Sequence, residues 1–195
     1  MKIERVYREI LHKILDEKEL DAKFKQRELS KSTGLSISTV NYALKPLADM
    51  NTIAKKRFGF TVIDAKKILF YWASIRKLTR DITCKLAVNE KVEKIEASVP
   101  SRTVFTAYSA FKFKFKTIPS EYSEVVVYGN KEDFEERFKS TGKYPNVIVL
   151  KLDEHLLKFK IAPIAQIFVD LWNLNTWYAG EFLKKLEEII NGIVE

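Results

Sequence analysis

Gln26-Arg27-Glu28-Leu29-Ser30-Lys31-Ser32-Thr33-Gly34-Leu35-Ser36-Ile37-Ser38-Thr39-Val40-Asn41-Tyr42-Ala43-Leu44-Lys45 decides how this chain is read. Its first part predicts a helix over about Gln26 to Ser32, with Leu29 facing inward. Gly34 follows, and glycine enters the left-handed backbone region that ends a helix without a Cβ penalty. Ser36 is a good N-cap for a second helix, Ile37 to Lys45. Ile37, Val40, Leu44 and Leu47 fall on one stripe and predict its buried side. Ser38, Thr39, Asn41, Tyr42 and Lys45 predict the opposite face. Pro46 lacks a backbone N–H and clashes with the preceding turn, at about 3 kcal/mol in a helix interior. The helix is therefore expected to kink or end near Lys45.

Outward from this stretch the pattern stays compact. Ile3, Val6, Tyr7, Ile10, Leu11, Ile14 and Leu15 recur at i, i+3, i+4, i+7 spacing and predict an amphipathic first helix. On the other side, Ile53-Ala54-Lys55-Lys56-Arg57-Phe58-Gly59-Phe60-Thr61-Val62-Ile63 reads as two short strands around a glycine-containing turn. Lys55, Lys56 and Arg57 enter that turn as three consecutive cations. Strand alternation predicts Lys55 and Arg57 on one side and Lys56 turned partly aside.

Charge gives this region a partner class. The 195 residues carry a formal net charge of +8. Residues 1–80 hold 18 Lys and Arg against 9 Asp and Glu, and residues 81–195 hold 16 against 17. The positive excess thus lies in the first 80 residues. A field concentrated in that way selects a polyanion, whereas solubility alone would be served by spreading it. The exposed groups of the second helix are short or hydrogen-bonding and can reach base edges, and the N-terminus of that helix favours a phosphate.

Several classes are disfavoured. Cys84 is the only cysteine, so neither an intrachain disulfide nor a thiolate zinc site can form. His12 and His155 are the only histidines, read as lacking acidic neighbours at metal-ligand spacing, so no metal and no cofactor is expected. Gly129, Gly142, Gly180 and Gly192 stand isolated, Thr141-Gly142-Lys143 lacks the upstream glycine of a phosphate loop, and no serine has a nucleophile-elbow context. The chain is expected not to be an enzyme. No apolar run has membrane-spanning length and none resembles a signal peptide, so a soluble cytoplasmic protein with no membrane partner is expected.

The run from Gln26 to Val40 resembles the helix-turn-helix of winged-helix transcription regulators, and the resemblance covers about residues 3–64. It rests on the Leu29-to-Gly34 spacing, Leu35-Ser36, and the Ser38-Thr39-Val40 that opens the second helix. Lys25, where such families often place a Ser or Thr cap, and Pro46 depart from the pattern. The resemblance implies double-stranded DNA binding by Gln26, Arg27, Ser36, Ser38, Thr39, Asn41, Tyr42, Lys45, Lys55, Lys56 and Arg57.

Asp64 is placed to cap a connecting helix through about Thr79, with Ile68, Leu69, Trp72, Ile75 and Leu78 on one side. In dimeric regulators this element often makes the two-fold contact. Beyond it strands and helices alternate: strand Ile82–Val88, helix Lys91–Ala97, strand Val125–Tyr128, helix Glu132–Lys139, strand Asn146–Leu152, and helices near 163–173 and 176–191. Phe111-Lys112-Phe113-Lys114-Phe115-Lys116 has the period-2 alternation of a half-buried strand. Ile164, Phe168, Leu171, Trp172, Trp177, Tyr178 and Phe182 read as an aromatic core stripe.

The end of the chain, Ile161-Ala162-Pro163-Ile164-Ala165-Gln166-Ile167-Phe168-Val169-Asp170-Leu171-Trp172 and the helix after it, resembles the C-terminal part of AbiEi-type antitoxins of type IV toxin–antitoxin systems. These also place a winged helix first. That resemblance implies a helix over residues 107–115, following Thr103-Val104-Phe105-Thr106-Ala107-Tyr108-Ser109-Ala110, against the strand reading. It further implies an autorepressor that counteracts a toxin. The expected class is α+β: a winged helix-turn-helix (1–64), a connecting helix (65–80) and a small α/β domain (81–195). The expected function is a homodimeric DNA-binding repressor whose C-terminal domain meets a toxin or, alternatively, a small-molecule effector.

Overall fold

The structure is a computed structural model that describes residues 2–195. By contact the chain divides into two units. The first comprises Met1–Arg76, Pro163–Ala165 and Glu187–Glu195; the second comprises Lys77–Ala162 and Gln166–Leu186. Each unit combines helices with one largely antiparallel sheet, an α+β arrangement.

The first unit runs α1 (Glu4–Leu15), β1 (Lys23–Phe24), α2 (Gln26–Thr33), α3 (Ile37–Asp49), β2 (Ile53–Lys56), β3 (Gly59–Val62) and α4 (Ala65–Ile75). Val6, Tyr7, Ile10 and Leu11 of α1 are fully buried, and Val40, Leu47, Ile68 and Trp72 join them in the core. Side chains at i and i+4 stack on one helix face, so the α1 stripe needs a partner on one side, and it packs on α2, α3 and α4. The strands form an antiparallel sheet in the order β1-β3-β2. Sequence periodicity could not show β1, because two residues carry no period. Its Phe24 ring stacks on Phe60 at 5.3 Å.

Asp64 caps α4 by accepting from the Lys67 N–H at 2.8 Å. The helix stops at Ile75, short of Thr79, and Leu78–Asp81 forms a 3₁₀ turn. Arg76, in extended conformation just beyond α4, pairs with Glu4 at 2.9 Å, both side chains only 3% exposed.

The second unit contains β4 (Ile82–Leu86), α5 (Val92–Ser98), β5 (Val104–Phe105), α6 (Ala107–Phe115), β6 (Val125–Gly129), α7 (Lys131–Arg137), β7 (Val147–Lys151) and most of α8 (Ile164–Trp172) and the first half of α9 (Ala179–Val194). Its sheet has the order β4-β7-β6-β5, with β6 and β7 parallel and both edges antiparallel. Every residue of β6 is buried, as expected for an inner strand covered on both faces. Val125 and Val127 pack with Ile95, Phe134, Val147 and Val149. Tyr128 instead donates its hydroxyl to Asp170 at 2.6 Å. The same carboxylate accepts from Thr106 and Gln166, so this buried polar group is fully hydrogen-bonded.

The Phe-Lys ladder is a helix, α6, and not a strand. Phe111 and Phe115 lie one turn apart with ring centroids at 4.8 Å, while Phe113 meets Phe105 at 4.9 Å. Lys112 donates to the buried Glu96 carboxylate and lies over the Phe113 and Tyr122 rings. Tertiary partners on several sides of the helix thus override the period-2 pattern. The aromatic stripe also needs correction. Phe168, Leu171 and Phe182 are fully buried, but Trp172 and Trp177 are exposed, Trp177 at 82%. His12 has acidic neighbours after all, Asp16 at 3.4 Å and Glu17 at 3.3 Å. Among the described residues, no group of three or more His, Cys, Asp or Glu could hold a metal ion.

Candidate nucleic-acid interface

The turn between α2 and α3 follows from its residues. Gly34 has φ 66°, the left-handed conformation that ends α2. Ser30 donates its hydroxyl to the Leu35 carbonyl at 2.6 Å, closing the turn. Ser36 accepts from the Thr39 N–H at 3.2 Å and so satisfies a donor that the first turn of α3 leaves open. The Thr39 hydroxyl lies 2.9 Å from that of Ser36. Thr39 is half-buried and turned to the cap, leaving it less available than its position on the helix suggests.

Behind α3, Tyr7 donates its hydroxyl to the Ala43 carbonyl at 3.1 Å. Burial of that phenol raises its pKa, which keeps it protonated and a donor. α3 continues through Pro46 to Asp49 and does not end near Lys45. Pro46 lies in the last turn of α3, where Ala43, Leu44 and Leu47 hold the segment against the core. Beyond the helix, Asn51 takes the left-handed conformation and buried Thr52 donates its hydroxyl to the Leu47 carbonyl.

Ile37 is 45% exposed and does not join the buried stripe. It is the first residue of α3, and the apolar residues that the turn and first helical turn bury are Leu35 and Val40. Ile37, Asn41 and Lys45 therefore form an exposed ridge at i, i+4, i+8, with Ser38 beside it. Tyr42, 70% exposed, lies on another flank of α3, beside a small pocket lined by Tyr7, Pro46 and Tyr71.

β2 and β3 pair Lys55 with Phe60 and Lys56 with Gly59. That register leaves Arg57-Phe58 as a two-residue turn, so Arg57 sits at the tip and not on a strand as expected. Lys55 shares its pleat face with Ile53, and Lys56 takes the other face. Gly59 has φ 133°, and a Cβ there would fall 2.1 Å from the Phe24 carbonyl oxygen. Phe58 is 73% exposed, with the Arg57 guanidinium 5.1 Å from its ring centroid.

The hairpin, the start of α2 and the Asn41-to-Asp49 part of α3 enclose an open groove of about 750 Å³. Gln26, Arg27, Asn41, Lys45, Lys55, Lys56 and Arg57 all line it, and so do Lys25 and Asp49. Ser36, Ser38, Thr39 and Tyr42 lie outside that lining. Six cations thus face one carboxylate, and of the six Lys25 is engaged by Glu28 at 2.9 Å. Lys25 and Phe58 also line the groove and are not among the residues the sequence points to, and Ile37 is exposed without lining it. The first two belong to the charged and hairpin segments, where only the absence of a cap or a core role could have marked them.

Residues 8–54 match the winged helix-turn-helix DNA-binding family model. No curated protein and no solved structure matches the chain. The match ends at Ala54, before the turn and second strand of the hairpin. By the order of its elements, α3 takes the place of that family's recognition helix and β2–β3 the place of its wing. No helix among the described residues is long and apolar enough to cross a membrane.

Proposed function

We propose that this chain is a non-enzymatic transcription regulator that binds double-stranded DNA sequence-specifically as a homodimer and represses. The observation that carries the reading is the groove between recognition helix and wing, with six cations against one acid and Asn41 of α3 in its lining. Lys and Arg at that density take phosphates and supply affinity, while Asn41 and Ser38 reach base edges and supply selectivity. Residues 1–64 then bind DNA, 65–80 connect, and 81–195 carry regulation.

For the regulatory part the antitoxin reading rests on the sequence resemblance: an autorepressor whose C-terminal domain engages a toxin. Exposed Trp172 and Trp177 support a protein partner, since large aromatics dominate such contacts. The effector reading places a small molecule among the aromatics. There Tyr108, Tyr122, Tyr178 and Phe182 contact one another at centroid distances of 5.0–5.9 Å and fill that space themselves.

Footprinting on the DNA upstream of the chain's own gene tests the reading, together with transcription from that DNA in vitro. The expected result is protection of two half-sites centred about 10 bp apart or a multiple of that, with falling transcript as protein is added. Equal protection of unrelated DNA would refute sequence specificity, and rising transcript would refute repression.

A further inference from the structure

Six large hydrophobic side chains of the first unit are exposed: Leu20, Ile37, Tyr42, Phe58, Ile63 and Phe70. Three of them, Ile37, Tyr42 and Phe58, stand on the recognition helix and the wing tip. Ile37 asks most for an explanation. It is β-branched, which gives no helical advantage, and its position neither caps α3 nor packs beneath it. Serine would serve there as well for solubility. What distinguishes isoleucine at that point is apolar surface offered outward.

Its neighbours say to what. Ile37 and Asn41 are one turn apart on the same exposed ridge, so their Cβ atoms stand about 5–6 Å from each other. Asn41 and Lys45, next along the ridge, line the cationic groove. A side-chain carboxamide matches the N6 donor and N7 acceptor of adenine. An apolar side chain matches the 5-methyl of thymine, a group absent from G·C pairs. The two chemistries side by side describe the major-groove edge of A·T.

We infer that Ile37 and Asn41 together read A·T in the major groove, Ile37 packing on a thymine methyl and Asn41 bonding the adenine of the same or the adjacent base pair. This deepens the DNA-binding reading and rests on it. Lys45 on the same ridge then meets the phosphate or a neighbouring base, and Ile37 acts by contact without charge. Its contribution is therefore insensitive to salt, unlike that of the wing.

The test uses the full chain and a random-duplex library. Bound duplexes are selected and sequenced, and the selected duplex is resynthesised with each thymine in turn replaced by uracil, which removes only the methyl. One replacement per half-site is expected to weaken binding about fourfold, the value of one buried methyl at about 0.8 kcal/mol. Ile37→Ala should bind the thymine and uracil duplexes equally, and Ile37→Val should keep part of the difference. Asn41→Ala should lose the adenine preference by fivefold or more. Because Ile37 is half-exposed, its variants should melt as the unsubstituted chain does, which separates a lost contact from a lost fold. Indifference of the unsubstituted chain to every uracil, or unchanged uracil sensitivity in Ile37→Ala, would overturn the inference and leave DNA binding standing. Failure to bind any duplex at low salt would overturn both.

Discussion

Glu4→Ala is expected to destabilise the N-terminal unit by about 3–5 kcal/mol, the cost of breaking a buried ion pair from one side. Glu4 opens α1, and Arg76 follows the last residue of α4, so their 2.9 Å contact clamps two helices that are distant in sequence. On a surface such a pair contributes about 0–1 kcal/mol. Here both side chains are 3% exposed, and Glu4→Ala takes from a poorly solvated guanidinium the carboxylate it meets at 2.9 Å. The pair need not itself be a net gain. Replacing both residues, Glu4→Leu with Arg76→Met, should therefore recover most of the loss. Urea unfolding of the three chains measures this. A single-variant cost below about 1 kcal/mol would show that water reaches the pair.

Gly59→Val should cost about 3 kcal/mol or more, because two penalties combine. A φ of 133° is a conformation that L side chains rarely adopt, and the new Cβ would meet the Phe24 carbonyl oxygen at 2.1 Å. That oxygen belongs to backbone and cannot swing away. The wing must then separate from β1, which carries Lys55, Lys56 and Arg57 off the groove. The expected consequence is weakened DNA binding with α2 and α3 still formed, read by binding titration beside circular dichroism. Gly192→Ala is the control: a Cβ there meets nothing within 4 Å, so the exchange should stabilise α9 by about 0.5–1 kcal/mol.

The interface was legible in the sequence where local chemistry decides structure. Gly34, Ser36 and the apolar spacing of Val40, Leu44 and Leu47 each act within one or two turns, and the helices fall accordingly. The wing was visible as two strands around a turn, but its register was not. Arg57 moved from strand to tip because cross-strand pairing of Lys56 with Gly59 sets the turn, and pairing is a tertiary fact. Ile37 was misjudged for a related reason. Periodicity places a residue on a face, whereas burial also requires core beneath that end of the helix. Pro46 predicts a kink or an end near Lys45, yet α3 runs on to Asp49, and the proline falls in a last turn that Leu47 anchors.

In the second unit the same limit reached further. α6 alternates Phe and Lys because Phe105, Glu96 and Tyr122 surround it, and none of these contacts is local. Trp172 and Trp177 fit a helical stripe by spacing but stand at and beyond the end of α8, where both stay exposed. Fold class survived these errors, since it depends on the order of elements more than on their faces.

The central claim is that the groove between recognition helix and wing holds duplex DNA by its phosphates. A salt titration of the full chain on a random duplex tests it most directly, comparing the unsubstituted protein with Lys55→Ala/Arg57→Ala. Each phosphate contact contributes about 0.9 to the slope of log K against log salt. The double variant should lower that slope by about 2 per bound subunit, with Lys56→Ala changing it by less than half as much. An unchanged slope in the double variant would contradict the account, because the wing would then not touch the backbone at all.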